Sequence, residues 1–441
     1  MTTHLNTFAS RAPEHHALPL PALRGAPAAA RTLLALLQRM THGTLHVQWP
    51  DGSHSRHGTA LAHEPSATLH IHHWRMCAQV LKAGDIGFAE AYMAGEWSTP
   101  QLVPLLRLCL RNRLAMEDAI YGRWWGQLGH RLRHLLNRNS KANARKNIHA
   151  HYDLGNAFYA QWLDSTMNYS SAVFEPGTGS MEDAQRAKVR RALRMAHVQP
   201  GDRVLEIGCG WGALAEMATT ECQASLVGVT LSTEQLAWAR QRLEGLGVPT
   251  LDATAAPPAT GASLAPPSVH ADLRLQDYRD IGVTTPDQPF DAICSIEMVE
   301  AVGQAYWPTY FQTVNRLLKP GGRACIQTIT IDDRLFDRYV RSTDFIQQYI
   351  FPGGCLPSPS AFRAQARAAG LEVVDELAFG QDYAHTLAWW HQRFVQAEAG
   401  VRALGFDDRF MRIWTYYLAV CEAAFAEGST DVVQFTLRKP L

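Results

Sequence analysis

Four groups of residues in this 441-residue chain have types and spacings suited to chemistry. The first is Asp202-Arg203-Val204-Leu205-Glu206-Ile207-Gly208-Cys209-Gly210-Trp211-Gly212, an apolar run carrying one acid, Glu206, and then three glycines at alternate positions. Helix formers from Ala213 follow, so the stretch predicts strand, glycine turn and helix, the opening of a nucleotide-type α/β unit. Glycines there let backbone approach a ligand closely. The second is Glu297-Met298-Val299-Glu300, directly after the predicted strand Phe290 to Ile296. Ligands of open α/β sheets bind at the carboxyl ends of strands, so both carboxylates have a positional claim on an active site. Favourable negative charge at a helix N-terminus is the competing explanation for one of them. The third is Gln276-Asp277-Tyr278, at the end of the strand predicted from Ala271 to Leu275. The fourth is His70, His72 and His73 on a strand; no Cys or carboxylate cluster joins them, so they read as solvated strand-face histidines and no metal site is expected.

The elements that must position these groups follow from periodicity. Residues 1–30 are rich in Pro and Ala and read as a disordered tail. Residues 31–118 read as a small α+β domain, a candidate for lipid binding or dimerisation. Its expected elements are a helix from Ala28 to Met40, strands at Thr44 to Trp49 and Thr68 to His73, and helices at Met76–Leu81, Gly87–Ala94 and Leu102–Leu114. Residues 119–150 carry Arg123, Arg131, Arg133, Arg138, Lys141, Arg145 and Lys146 without one acid, interleaved with Trp124, Trp125 and leucines. That segment fits either a solvated linker helix or an amphipathic surface for anionic lipid headgroups. Residues 151–441 read as the catalytic domain, with strands at Ser225–Ser232 and Arg323–Ile329 besides those above and a helical, aromatic C-terminal part ending in a strand from Val432 to Leu437. Residues 249–268, Pro/Ala/Ser/Thr-rich and nearly uncharged, read as a flexible surface insertion.

Composition narrows the field. Lys+Arg and Asp+Glu both number 41, so no global field favours nucleic acid. Eight scattered cysteines suit a reducing cytoplasm, and no apolar run approaches the roughly 18–20 residues of a membrane span. The expected location is cytoplasmic, with peripheral association at the inner face of the membrane.

Several motifs in order carry a resemblance. Tyr152-Asp153-Leu154-Gly155-Asn156, Tyr169-Ser170, the glycine turn, Gly228-Val229-Thr230-Leu231-Ser232, Tyr349-Ile350-Phe351-Pro352-Gly353-Gly354-Cys355-Leu356-Pro357-Ser358 and Phe379-Gly380-Gln381-Asp382-Tyr383 resemble the cyclopropane-fatty-acyl-phospholipid synthase family, whose mycolic acid members share its methyltransferase domain. The resemblance implies an α/β class I S-adenosylmethionine (SAM) methyltransferase, with a Rossmann-like sheet and the small N-terminal domain. It implies SAM contacts from Tyr169, Ser170, Glu206, Gly208, Cys209, Gly210, Gly212, Thr230, Leu231, Gln235, Gln276, Asp277 and Tyr278, with Thr230 and Gln235 where such enzymes commonly hold a ribose-binding acid.

The substrate it implies is the cis double bond of an unsaturated acyl chain in a membrane phospholipid, with a homodimer among the expected assemblies. Methylation leaves a cation on that chain, which the face of Tyr383 can stabilise, and a base must then remove a proton. In the family the base is a bicarbonate held by a Cys, a Glu, a His and a Tyr. The Glu and Tyr fall on Glu300 and Tyr383, but the Cys and His positions hold Ser171 and Gln327. Glu297 stands where better-known members have Gly, so its carboxylate is a candidate to replace bicarbonate. Cys355 reads as structural, because alkene methylation needs no covalent enzyme intermediate. Ring closure is the expected outcome; a methylene- or methyl-branched chain, a soluble substrate, and a non-catalytic relative are the alternatives.

Overall fold

The computed structural model describes residues 23, 25–59, 64–115, 154–251, 269–283 and 288–441. The basic aromatic segment, the first residues of the Tyr152 motif and nearly all of the insertion lie outside them. Helix α1 (Ala28–Leu37) buries Leu33, Leu34, Leu36 and Leu37 on one face. It stops short of Met40, and Ala26 and Ala30 are already core, so ordered structure begins inside the expected tail. Strand β1 (Thr44–Gln48) is returned by the Pro50-Asp51-Gly52 turn into β2 (His54–Gly58), and β3 (Ser66–Ile71) runs parallel to β1. His-Ser-Arg-His-Gly has no strand propensity of note; pairing with β1 makes β2 a strand.

The two helices expected at Met76–Leu81 and Gly87–Ala94 form one run, α2 (Arg75–Met93), broken at Gly84 with φ 61° and ψ −128°. The break brings Gly87 so close to the first half that an added Cβ would lie 2.1 Å from the Gln79 carbonyl oxygen. Strand β4 (Trp97–Ser98) and α3 (Leu102–Arg111) complete the small domain, whose sheet order is β2-β1-β3-β4.

The large sheet comprises β5 (Arg203–Ile207), β6 (Ser225–Thr230), β7 (Thr250–Leu251), β8 (Ala271–Leu275), β9 (Phe290–Ile296), β10 (Leu318–Ile331), β11 (Glu372–Ala378) and β12 (Thr430–Arg438), in the order β11-β12-β10-β9-β5-β6-β8-β7. Only β12 runs antiparallel to its neighbours. The strand order reverses between β5 and β9, and a crevice at such a switch point is where open α/β sheets take ligands. The edge pair β7 corrects part of the sequence expectation, since Thr250 and Leu251 belong to the sheet and not to a loose insertion. Strand β11, Glu-Val-Val-Asp-Glu-Leu-Ala, alternates exposed and half-buried residues as an edge strand does.

Helices around this sheet include α4 (Met181–Met195), α5 (Ala213–Thr220), α6 (Thr233–Gly245), α7 (Trp307–Leu317), α8 (Gly380–Gln396) and α9 (Asp408–Ala426). Ser180 and Ser232 cap α4 and α6, each accepting a backbone amide hydrogen bond that the first turn leaves free. Helix α3 packs on α9, where Arg107 and Arg111 each donate to Glu427 at 2.6 Å. One hydrophobic cluster runs from Leu33 and Trp97 in the small domain to Trp414 and Tyr416 on α9, so the two domains share a core. Among the described residues no helix is long and apolar enough to cross a membrane.

Because the α2 break leaves no room at Gly87, Gly87→Ala is expected to destabilise the protein by about 1–3 kcal/mol, as overpacking does. A melting temperature unchanged within error would contradict this close packing.

Candidate active site

The glycine turn leaves β5 at the switch point and lines a pocket with Glu206, Gly208, Cys209, Gly210, Thr230, Leu231, Gln235, Tyr169, Ser170, Gln276, Asp277 and Tyr278. Twelve of the thirteen expected cofactor residues therefore face one cavity. Gly212 does not. At φ 85° it caps α5, and a Cβ there would sit 2.9 Å from that of Ala239, so it is required for helix packing. Gly208, at φ 88°, packs against protein: a Cβ would lie 3.0 Å from the side chain of Met298.

At the end of β6, Thr230 donates to Gln235 Oε1 at 3.0 Å. The Asp277 carboxylate is held by the Arg279 side chain, at 2.8 Å from Nε and 2.6 Å from Nη2. Arg279, Asn168 and Met298 also line the pocket and were not singled out in the sequence.

Glu206 tests whether the pocket fits a ligand with hydrogen-bond donors. Its Oε2 is buried with no hydrogen-bond partner, and burial pushes its pKa up to about 8 against the opposing charge of Lys188. Such an atom is costly unless a ligand supplies a donor. SAM carries an ammonium group and ribose hydroxyls, so the residues present suit it.

Across the crevice, the chain leaving β9 turns through Glu297 with φ 49°, a left-handed conformation that costs a non-glycine residue of order 1 kcal/mol or more. That turn aims the carboxylate at three donors from three segments. The Ser171 backbone amide donates to Oε1 at 2.9 Å, Gln327 Nε2 donates to Oε1 at 2.7 Å, and the Tyr383 hydroxyl donates to Oε2 at 2.7 Å. Glu297 also lines the cofactor pocket, so this cluster and the cavity share a wall. Burial lifts the Glu297 pKa above its ordinary value, while the charge of Lys188 and the hydrogen bonds from Tyr383, Ser171 and Gln327 oppose the shift. Ser171 takes part through its backbone; its hydroxyl donates to the Ala172 carbonyl.

Glu300 stands apart from this cluster. Its Oε1 accepts from the Ile329 amide and its Oε2 has no partner. Burial, and then the charge of Glu297, push its pKa up to about 8. Cys355 is buried and its thiol is pushed up to about 12 by burial, as suits a structural cysteine.

Lys188 is a further polar residue beside the pocket. It is fully buried on α4 and donates to Ser170 Oγ at 2.6 Å and Asn168 Oδ1 at 3.2 Å. Burial lowers its pKa to about 8. Its signal was available: Ala184, Gln185, Lys188 and Ala192 share the buried stripe of an amphipathic helix, where a lysine is out of place unless paired.

A doubly wound, mainly parallel sheet with a glycine turn at its switch point and a pocket suited to SAM defines a class I SAM-dependent methyltransferase. A methyltransferase-domain profile matches residues 205–326, and the profile described as mycolic acid cyclopropane synthetase matches residues 139–254 and 266–435. The break between those two stretches falls inside the 249–268 insertion.

The chain is 37% identical over 429 residues to tuberculostearic acid methyltransferase UfaA1 of Mycobacterium tuberculosis, covering 94% of this chain and 93% of that protein. It is 36% identical over 371 residues to cyclopropane-fatty-acyl-phospholipid synthase of Escherichia coli K12, covering 84% and 87%. Among solved structures, mycolic acid cyclopropane synthase CmaA1 complexed with SAH and CTAB superposes with a TM-score of 0.57 at 30% identity, covering 67% of this chain and 98% of that one. The chain belongs to the mycolic acid cyclopropane synthetase family.

Glu206→Gln, which removes the charged acceptor, is expected to weaken SAM binding by roughly tenfold or more, the usual worth of a hydrogen bond to a charged group. The fold should persist, because the amide matches the carboxyl in size and shape. Calorimetric titration of the variant with SAM checks it, and an unchanged Kd would exclude a role for Glu206 in cofactor binding.

Proposed function

We propose that this enzyme transfers the methyl group of SAM to the cis double bond of an unsaturated acyl chain in a membrane phospholipid, and that Glu297 removes the proton whose loss closes a cyclopropane. The observation that carries the reading is the Glu297 carboxylate held by Ser171, Gln327 and Tyr383 on the wall of the cofactor pocket.

SAM, when bound, supplies an electrophilic methyl group and departs as S-adenosylhomocysteine. The alkene π pair forms the new carbon–carbon bond, leaving a cation on the adjacent acyl carbon. Glu297 takes a proton from the added methyl carbon, and the released C–H pair forms the third side of the ring. A carboxylate offers about four lone-pair sites, and three are filled by protein donors, which fix its aim and leave one for the incoming proton. Burial favours the neutral product of that transfer, while the three donors and Lys188 keep the charged form accessible beforehand.

The aromatic rings near this carboxylate suit a cationic acyl chain: Tyr383 packs against Phe425 at 4.4 Å and Trp390 at 6.1 Å between ring centroids. A separate bicarbonate does not fit this arrangement. The Gln327 amide and the Tyr383 hydroxyl, together with the Ser171 amide, are engaged by a carboxylate of the chain itself, so no step is assigned to that ion.

A branched product uses the same parts, with the proton lost from a different carbon. The match to a protein named tuberculostearic acid methyltransferase supports keeping that second reading.

Expression in a host lacking such an enzyme, followed by mass spectrometry of its fatty acids, tests the proposal. Monounsaturated chains should gain one methylene unit, and NMR should show ring protons; branch-methyl signals would select the second reading. No change from SAM-binding protein would exclude both. Activity on phospholipid vesicles but not on short soluble alkenes is the expected substrate pattern.

Glu297→Gln should lower kcat by about 10²–10⁴-fold, the range of general base catalysis. Glu297→Gly relieves the left-handed strain and frees the three donors, so its lost activity should return with added bicarbonate. Full activity of either variant without added bicarbonate would exclude Glu297 as the base. The base must be ionised to work and its pKa is raised, so kcat should fall on acidification at a pH above the ordinary glutamate range.

A further inference from the structure

Behind Glu297 lies a chain of polar groups that runs inward from half-buried Asp375 on β11 through the buried Arg191 on α4, Gln434 on β12 and Gln327 on β10. Arg191 Nη2 donates to Asp375 Oδ1 at 2.9 Å, and Nη1 donates to Gln434 Oε1 at 2.6 Å. Gln434 Nε2 donates to Gln327 Oε1 at 2.9 Å, and Gln327 Nε2 donates to Glu297 Oε1 at 2.7 Å. Gln327 and Gln434 are directly opposed in the β10–β12 ladder, and both are fully buried.

An amide side chain can point either way, presenting oxygen or nitrogen, so nothing about a glutamine alone makes it a donor to Glu297. The ends of this chain remove that freedom. A guanidinium has only donors, so the Gln434 oxygen must face Arg191. Gln434 nitrogen then faces both Gln327 Oε1 and the Lys188 backbone carbonyl, 3.2 Å away, which can only accept. Gln327 nitrogen is thereby turned to Glu297 and to the Ser171 carbonyl at 3.4 Å, again acceptor-only. Reversing either amide would set oxygen against oxygen and nitrogen against a donor between two fully buried side chains.

We propose that Arg191 is a positioning residue that acts through Gln434 to lock Gln327 as a hydrogen-bond donor, and so holds Glu297 in its carboxylate form. Arg191 touches neither the pocket nor Glu297; its effect travels through two amides of fixed polarity. The proposal rests on reading Glu297 as the base for its catalytic consequence, but not for its effect on the protonation of that group. The charged and titratable groups facing Glu297 are Lys188 on α4, Tyr383 on α8 and Glu300 in the turn after β9; none is altered by the test.

The test compares Arg191→Lys, which still offers only donors, with Arg191→Gln, which can present oxygen or nitrogen and so permits the relay to reverse. The titration of Glu297 is read by infrared spectroscopy of protein labelled with isotopic glutamate, each spectrum referenced to the same protein carrying Glu297→Gln. Arg191→Gln should raise the midpoint by about one pH unit, with kcat lowered about tenfold at a pH below that midpoint. KM for SAM should be unchanged, and Arg191→Lys should keep the wild-type midpoint. Gln434→Met, which removes the donor to Gln327 and leaves the Arg191–Asp375 pair, should raise the midpoint as Arg191→Gln does.

A midpoint that stays put in Arg191→Gln and Gln434→Met overturns the proposal, as does an equal rise in Arg191→Lys and Arg191→Gln. A midpoint that moves while kcat does not upholds the relay and instead refutes Glu297 as the base.

Discussion

A carboxylate removed from water must be met by donors, or it will protonate or unfold its surroundings. The rest of the site depends on how this chain meets that constraint at Glu297. The donors come from the segment after residue 169, from the middle of β10 and from the first turn of α8, so the carboxylate ties three separate elements to the end of β9. A left-handed turn at Glu297 is what aims it there. Strain of that kind persists only where surrounding structure over-determines it, and here the donors, the Glu297 amide bonded to the Gln327 carbonyl at 2.8 Å, and the opposite wall at Gly208 do so.

The switch point makes this constraint useful. Strands β5 and β9 are neighbours whose helical connections leave in opposite directions, which opens a crevice between the glycine turn and the Glu297 turn. Glu206 in β5 and Glu297 after β9 thus occupy facing walls, and Lys188 lies close enough to act on the charge of both. One carboxylate has an oxygen without a protein donor, and the other accepts three protein hydrogen bonds. The difference in environment, not in residue type, separates a group suited to hold a ligand from one suited to take a proton.

The small domain is part of the same object. Its helix α3 meets α9 through Arg107, Arg111 and Glu427, and Tyr349, at the end of the short helix Phe345–Tyr349, donates to Glu90 on α2. Helix α9 also supplies Tyr417, whose hydroxyl lies 2.7 Å from that of Tyr169 at the pocket. Mechanical continuity from the N-terminal sheet to the cofactor wall follows from these contacts.

Much of this was legible along the chain. Alternate glycines after an apolar run, turn residues between strands and a carboxylate at a strand end depend on local spacing, and spacing is a property of sequence. Those signals located β5, β6, β8 and β9, and they picked out Glu297 and twelve other residues that line one pocket. Strands β2 and β11 were not legible, because His-Ser-Arg-His-Gly and Glu-Val-Val-Asp-Glu-Leu-Ala become strands only by pairing with a neighbour. Arg191 and Gln434 were not legible as site residues either. Their roles lie in which atoms face which across 107 to 243 residues of chain, as the bonds from Gln434 to Gln327 and from Arg191 to Gln434 show. The sequence by itself determined the residue types available, the glycine turn after β5 and the acid at the end of β9. Tertiary structure alone decided that this acid is buried among three donors, because burial and hydrogen-bond direction are relations between distant segments.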